Sequence, residues 1–250
     1  PEDARADYRL RIFTPGGELP FAGHPTLGSC FAWLAAGGVP RQPGQVVQQC
    51  AQGLVSIRQS GQRLAFAAPP SQRREVPAAT LAEVLPALGL APAQPRRAQW
   101  LDNGPLWLGL QLDSADTVLA LAPDHARLAA LGCKVGVAGA RGGAGSGALI
   151  ARSNREARAF GAVAARADDA LIEVRAFAAP IGVPEDPVTG SLNASLAQWL
   201  IEAGELPARY VASQGTALGR AGRVHVERDA QGQVWVGGDC VAVIGGEVRL

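Results

Sequence analysis

The sequence predicts an α+β fold in which two pseudo-symmetric lobes each wrap a strongly bent, mostly antiparallel β-sheet around a central buried helix. Three observations support this expectation. The 250-residue chain repeats itself, short segments rich in Val and Ile dominate the pattern, and each half carries one helical segment without charge. We expect a first lobe over residues 1–98, incomplete at its amino terminus, and a second lobe over residues 99–250.

The repeat appears when the chain is shifted by 186 − 24 = 162 positions, which aligns the two copies without a gap. The order of features is the same in each copy, and we interpret the chain as an ancient duplication. The aligned pairs are Asp186-Pro187 on His24-Pro25, Gly190-Ser191 on Gly28-Ser29, and Gln214-Gly215 on Gln52-Gly53.

In each copy an apolar strand leads through a Pro/Gly loop into the uncharged helix, and further strands follow. The predicted strands cover residues 8–13, 45–49, 55–58, 106–112, 148–152, 171–177, 223–227, 233–236 and 241–244. A further helix is predicted over 123–131, and Asp102-Asn103-Gly104 is a tight-turn signal. The glycine-rich run over 136–147 lacks the Gly-Lys-Ser/Thr ending of a phosphate loop, so we interpret it as a flexible connection.

The two uncharged helices are predicted to begin at Pro25 and Pro187, because proline suits the first helical position. His24 and Asp186 are then the N-cap residues, a role that suits aspartate better than histidine. Neither helix has a polar face, and we therefore expect both to be buried on all sides. Glycines at 37, 38 and 204 are predicted to end the helices in left-handed caps.

Composition and charge exclude several classes of function. The 23 basic and 22 acidic residues leave a formal charge of +1 and are scattered, so no nucleic-acid partner is expected. No apolar stretch reaches the length that spans a bilayer and no signal-peptide pattern opens the chain, which predicts no membrane partner and a cytoplasmic location. The four cysteines are widely separated, which predicts neither a metal site nor disulfides. The chain lacks Met, so we expect upstream sequence before Pro1.

The candidate site lies where the two helix starts face one cleft. Unpaired backbone N–H groups and positive dipole ends favour a bound carboxylate or a developing enolate-like charge there. His24 and Asp186 are the predicted catalytic residues, because an imidazole and a carboxylate at the rim can hold or move a proton. Asp186 could also serve only as a helix cap. The predicted substrate-binding residues are Gly23, Thr189, Gly190 and Ser191.

Three segments of the chain resemble the PhzF-like family of phenazine biosynthesis proteins. They are Arg11-Ile12-Phe13-Thr14-Pro15, the stretch Glu18-Leu19-Pro20-Phe21-Ala22-Gly23-His24-Pro25-Thr26-Leu27-Gly28, and Glu185-Asp186-Pro187-Val188-Thr189-Gly190-Ser191. The resemblance implies a diaminopimelate epimerase-like fold, a homodimer, and isomerisation of a dihydro-hydroxyanthranilate without a cofactor. It implies roles in the site for His24, Asp186 and Ser191. It also implies an acid/base glutamate, which we expect upstream of Pro1.

We therefore expect a cofactor-independent isomerase that transfers a proton on a small carboxylated metabolite, cyclic or amino-acid-like, between the two lobes. Two alternatives stay open: a non-catalytic homologue that binds a small ligand or a partner, and an epimerase or racemase of another substrate class. Racemases that share the fold use a cysteine at each helix start. His24 and Asp186 stand there instead, so a two-thiol racemase is not expected.

Overall fold

A computed structural model describes residues 1–14, 17–61, 63–142 and 170–246. The predicted strand over 148–152 and the end of the glycine-rich run lie outside the described residues. The helices are α1 (Gly23–Ala35), α2 (Ala78–Ala87), α3 (Ala115–Ala120), α4 (His125–Ala130) and α5 (Gly190–Glu202). The strands are β1 (Tyr8–Arg9), β2 (Ile12–Thr14), β3 (Gly17–Leu19), β4 (Gln45–Cys50), β5 (Gly53–Ser60), β6 (Arg63–Ala67), β7 (Gln72–Arg74), β8 (Arg97–Asp102), β9 (Leu106–Gln111), β10 (Val135–Ala140), β11 (Ile172–Ala178), β12 (Val183–Asp186), β13 (Arg209–Gln214), β14 (Gly222–Arg228) and β15 (Val234–Asp239).

One large, bent, mixed sheet of 13 strands runs through the molecule, and β2 and β3 form a separate hairpin. The order is β1-β4-β5-β6-β15-β14-β13-β11-β10-β9-β8-β7, with β12 paired to β11. This architecture confirms the α+β class with a bent sheet. The division into lobes at residue 98 stays a prediction; β6 pairs with β15 and β7 with β8, so the sheet continues across that boundary.

Successive residues of a strand point to opposite faces, and both faces of the sheet carry a core. Trp107 packs in the cluster around α1 and α5, whereas its neighbour Leu108 packs in a second cluster with residues of α2 and α4. No helix in the described part of the chain combines the length and apolar character needed to cross a bilayer.

Helix α5 is buried on nearly all sides, as predicted from its lack of charge. Ten of its 13 residues are buried, including the polar Asn193 and Ser195. A helix in this position needs no polar face, because the sheet and the loops surround it.

Helix α1 contradicts the same prediction. Only four of its 13 residues are buried, and His24, Gly28, Ala32 and Ala35 form an exposed stripe at helical spacing. Glycine and alanine tolerate water nearly as well as the interior, so the absence of charge alone did not distinguish a buried face from an exposed one.

The predicted helix starts are wrong by two or three residues. Helix α1 begins at Gly23 with Ala22 as its N-cap, and His24 is the second helical residue rather than the cap. Helix α5 begins at Gly190 with Thr189 as its N-cap, whereas Asp186 ends strand β12. Pro25 fits inside the first turn because the backbone N–H groups there have no helical acceptor.

Other local predictions have mixed outcomes. Gly37 and Gly204 have left-handed backbones directly after the two helices, with φ of +89° and +74°, which confirms both caps. Helix α4 confirms the helix predicted over 123–131. Residues 241–244 do not form the predicted strand, because no described strand pairs with them; Val241, Val243 and Ile244 are exposed.

The glycine-rich run is partly a buried strand, which corrects its interpretation as a flexible connection. Strand β10 contains Gly136 and Gly139 and pairs with β9 and β11. A Cβ atom at Gly136 would lie 2.2 Å from the Leu192 side chain, and one at Gly139 would lie 2.2 Å from the Ser114 carbonyl oxygen. Both glycines are therefore required by close packing.

Candidate active site

The amino-terminal ends of α1 and α5 meet in the structure. A Cβ atom added to Gly23 would lie 2.8 Å from Cα of Gly190, and the converse distance is also 2.8 Å. The ring of Phe66, on β6, packs against both glycines. No side chain other than hydrogen allows this approach, because real Cβ atoms do not come so close to backbone carbon.

This contact corrects the register of the repeat. The shift that pairs Gly190 with Gly23 is 190 − 23 = 167, not 162. The same shift places Glu185 on Glu18 and Pro187 on Pro20, so both helices follow the pattern Glu-x-Pro-x-x-Gly. In this register Ser191 corresponds to His24, and Asp186 corresponds to Leu19. The shift of 162 rests on the chance repetition of Gly-Ser at 28 and 190.

Asp186, Thr189 and Gln214 form one hydrogen-bonded network at the start of α5. The Thr189 hydroxyl donates to Asp186 Oδ2 at 2.7 Å, and Gln214 Nε2 donates to the Asp186 carbonyl oxygen at 2.9 Å and to Thr189 Oγ1 at 3.0 Å. Gln214 Oε1 accepts from the Thr189 backbone N–H and from Asn193 Nδ2. The network fixes the Asp186 carboxylate beside the first turn of the helix.

Ser191 is held by the β8–β9 hairpin. Trp107 Nε1 donates to Ser191 Oγ at 3.2 Å, and Asn103 Nδ2 donates to the Ser191 carbonyl oxygen at 2.9 Å. Because an indole N–H can only donate, Ser191 Oγ is the acceptor in this bond and its own proton is left to donate to another group.

An arginine–glutamate pair precedes each helix. Arg175 and Glu185 form a bidentate pair at 2.9 and 2.8 Å, with 6% of each side chain exposed, and Arg175 also donates to two backbone carbonyls. Arg11 and Glu18 form the same bidentate pair at 2.9 and 2.8 Å, but their side chains are 57% and 37% exposed. The hydrogen bonds from Arg11 lower the pKa of the Glu18 carboxyl.

The structure thus brings together Gly23, Gly190, Ser191, Thr189 and Asp186. His24 follows Gly23 directly and is exposed on the first turn of α1. Neither N-cap residue, Ala22 or Thr189, caps its helix with its own side chain, and neither first turn carries an acidic residue in the described structure. Two partly positive helix ends therefore meet, an arrangement that an anion stabilises.

Sequence reasoning missed Trp107 and Phe66, and it found Asn103 and Gln214 only as a turn and a repeat landmark. Lys134, the only lysine, has its ammonium 5.2 Å from the Trp107 ring centroid, and burial lowers its pKa although Asp102 opposes the shift. The sequence patterns around these residues are local, whereas the positions of Trp107, Asn103 and Gln214 in the site depend on contacts between distant parts of the chain.

The cysteines do not enter the site. Cys30 lies in the core around α1, where burial raises the pKa of its thiol to about 11. A thiol in that state is neither a base nor a nucleophile at neutral pH. Among the described residues, no group of three His, Cys, Asp or Glu side chains is arranged to hold a metal ion.

A large bent sheet that holds two helix starts against each other defines an α+β protein with one candidate site at the junction of those helices. The similarity to known proteins is consistent with this class. A model of the phenazine biosynthesis-like (PhzC-PhzF) protein family matches residues 1–246. The chain therefore belongs to this family.

Two relatives illustrate the range of the family. Antisense-enhancing sequence 1 of Schizosaccharomyces pombe is 32% identical over 265 residues, which cover 99% of this chain and 81% of the relative. The trans-2,3-dihydro-3-hydroxyanthranilate isomerase of Pseudomonas aeruginosa is 30% identical, with 91% and 72% covered.

Two solved structures share the fold. A PhzF family protein of Bacillus anthracis superimposes with a TM-score of 0.73 at 17% identity, covering 97% of this chain and 80% of the other. A hydroxyproline epimerase of Agrobacterium vitis with bound trans-4-hydroxy-L-proline gives a TM-score of 0.52 at 15% identity, covering 95% and 68%. The family membership confirms the resemblance seen in the sequence.

Proposed function

We propose that this chain is an isomerase that moves a proton on a small carboxylated metabolite, cyclic or amino-acid-like, bound where α1 and α5 meet. The observation that carries the proposal is the contact between Gly23 and Gly190. This contact places the amino-terminal ends of α1 and α5 side by side. Helix α1 belongs to the proposed first lobe and α5 to the proposed second lobe. Their backbone N–H groups and dipoles favour a carboxylate there and stabilise the charge that develops when a neighbouring carbon loses its proton.

The proposed proton transfer uses the groups beside these helix starts. Asp186 takes a proton from a carbon near the carboxylate, and the electron pair of that C–H bond moves into an enolate-like system. Trp107 Nε1 donates to Ser191 Oγ, which leaves the hydroxyl proton of Ser191 to donate to the substrate. This proton stabilises the developing oxyanion. His24 returns a proton at the second carbon, which completes the isomerisation.

Thr189 and Gln214 have a supporting role in this proposal. Thr189 donates to the Asp186 carboxylate and Gln214 donates to the Asp186 backbone carbonyl oxygen. A base held in place in this way needs less reorganisation during the reaction. We further propose that the protein is cytoplasmic and, from the family resemblance, that it forms a homodimer.

Hydrogen–deuterium exchange tests the proposed reaction. The full-length gene product is incubated in D2O with trans-2,3-dihydro-3-hydroxyanthranilate and, separately, with trans-4-hydroxy-L-proline, and deuterium in the recovered compound is measured by mass spectrometry. We expect incorporation into at least one of them, and a rate lower by about 100-fold or more in Asp186→Asn, which removes the base but keeps the side-chain shape. The matched control Asp116→Asn, at an exposed position in α3, keeps the full rate.

The outcome separates the two alternatives. Exchange at a stereocentre of the proline compound, without a double-bond shift, favours an epimerase, a reading that the fold shared with the hydroxyproline epimerase supports. Binding of these carboxylates without exchange favours a non-catalytic homologue. An Asp186→Asn variant with an unchanged exchange rate contradicts the assignment of the base.

A further inference from the structure

The side-chain oxygen of Asn103 is a buried acceptor with no hydrogen-bond partner in the described structure. Asn103 is 3% exposed, and its Oδ1 atom is unpaired although its Nδ2 donates to the Ser191 carbonyl oxygen. A buried amide oxygen without a donor is destabilising, so such groups in proteins are usually satisfied.

The orientation of the amide is determined by its bond to Ser191. If the amide were rotated by half a turn, Oδ1 would face the Ser191 carbonyl oxygen and two acceptors would oppose each other. Oδ1 is therefore the atom that lacks a partner, and it lies beside the first turn of α5.

The turn that carries Asn103 lies at the junction of the two helix starts. On one side Asn103 contacts Ser191. On the other, a Cβ atom at Gly104 would lie 3.6 Å from Gln52 Oε1, and the backbone N–H of Gln52 donates to the carbonyl oxygen of Pro20, three residues before Gly23. The turn thus connects the approach to α1 with the start of α5.

The hydrogen-bonding character of this junction makes the acceptor distinctive. Apart from the Asp186 carboxylate, the helix starts and the Ser191 hydroxyl present donors, which suit the oxygens of a carboxylate. An acceptor among these donors is left unpaired by a ligand that has only a carboxylate, and is satisfied by one that also carries an N–H or O–H group.

We infer that Asn103 is a specificity-determining residue whose Oδ1 accepts a hydrogen bond from an amino or hydroxyl group of the bound carboxylate. The inference rests on the proposed function, since it places the ligand at the same helix starts. An acceptor at this position would favour substituted carboxylates over simple ones, because a buried polar group left unpaired by the wrong ligand gives strong discrimination.

Matched ligand pairs test the inference by titration calorimetry. Anthranilate is compared with benzoate, which lacks the amino group, and L-proline with cyclopentanecarboxylate, which lacks the ring N–H groups together with their positive charge. For the unsubstituted chain we expect the donor-bearing member of at least one pair to bind about tenfold more tightly or better. In Asn103→Ala we expect the affinities of the two ligands of that pair to differ by about twofold or less.

A second variant separates the role as acceptor from a role in folding. Asn103→Asp keeps an oxygen at this position but loses the donor to Ser191. We expect it to keep the preference for the donor-bearing ligand, even if both affinities fall. If Asn103 only stabilises the turn, both variants change the two affinities in parallel and leave the ratio unchanged.

The failures are distinguishable. If the carboxylates bind but Asn103→Ala keeps the full ratio, or the unsubstituted chain shows no ratio in either pair, the inference about Asn103 is wrong and the proposed function is unaffected. If none of the four carboxylates binds and no deuterium exchange occurs, the proposed function fails and this inference fails with it.

Discussion

The starts of α1 and α5 share the pattern Glu-x-Pro-x-x-Gly but have very different surroundings. At α5 the arginine–glutamate pair is buried, and the Asp186 carboxylate and the helix start are held by Thr189 and Gln214. At α1 the equivalent pair is exposed, and His24 stands on the surface of the first turn.

The comparison shows how one sequence pattern gives two kinds of helix start. A buried pair requires a nearly complete set of partners, which Arg175 finds in Glu185 and in two backbone carbonyls. An exposed pair is screened by water and contributes little to stability. Among the described residues, the α5 start is therefore held by more contacts than the α1 start.

The largest expected difference concerns the two glutamates. Glu185→Ala leaves the Arg175 charge buried without its partner, and we expect a loss of about 3–5 kcal/mol in the free energy of unfolding. Glu18→Ala removes an exposed partner and should leave the unfolding midpoint nearly unchanged. Urea unfolding of both variants measures the contrast. Equal losses of unfolding free energy in the two variants would mean that burial does not decide how much each arginine–glutamate pair contributes to stability.

The glycine contact gives the next largest effect. Gly23→Ala or Gly190→Ala places a methyl group 2.8 Å from the backbone of the opposite helix, so the helix starts must separate. We expect a loss of about 1–3 kcal/mol in unfolding free energy, typical of overpacking, together with a loss of ligand binding. Urea unfolding and calorimetry check both effects.

Gly28→Ala is the control for that substitution and has the smallest effect. Gly28 lies in α1 on the exposed stripe, and a Cβ atom there would have no neighbour within 4 Å. Alanine favours the helix, so we expect a gain of roughly 0.5–1 kcal/mol and unchanged binding. A destabilised Gly28→Ala would show that the exposed face of α1 is covered in solution.

The sequence was sufficient to predict the family, the fold class, the buried α5 and the two glycines at the helix starts. Local chemistry carries these features: charge-free helices, Pro and Gly at fixed spacing, and alternating strands. Helix α2 was also within reach, because Leu81, Val84, Leu85 and Leu88 recur at helical spacing.

The remaining features depend on contacts between distant parts of the chain. The shift of 167 is visible in the sequence only as the short Glu-x-Pro-x-x-Gly match, and the packing of Gly23 on Gly190 is what selects it over the shift of 162. Asn103 is recognisable in the sequence only as part of a turn, because its partner Ser191 is 88 residues away. The exposure of α1 depends on which strands cover it, and periodicity does not contain that information.

The central claim is that both helix starts bind one small carboxylate. The most direct measurement is an NMR titration of the ¹⁵N-labelled chain with 3-hydroxyanthranilate, following the backbone N–H signals of Gly23 and Gly190. We expect both signals to shift along curves with the same dissociation constant, while the signal of Gly28 stays in place. A shift at only one of the two glycines, or different dissociation constants for them, would contradict it.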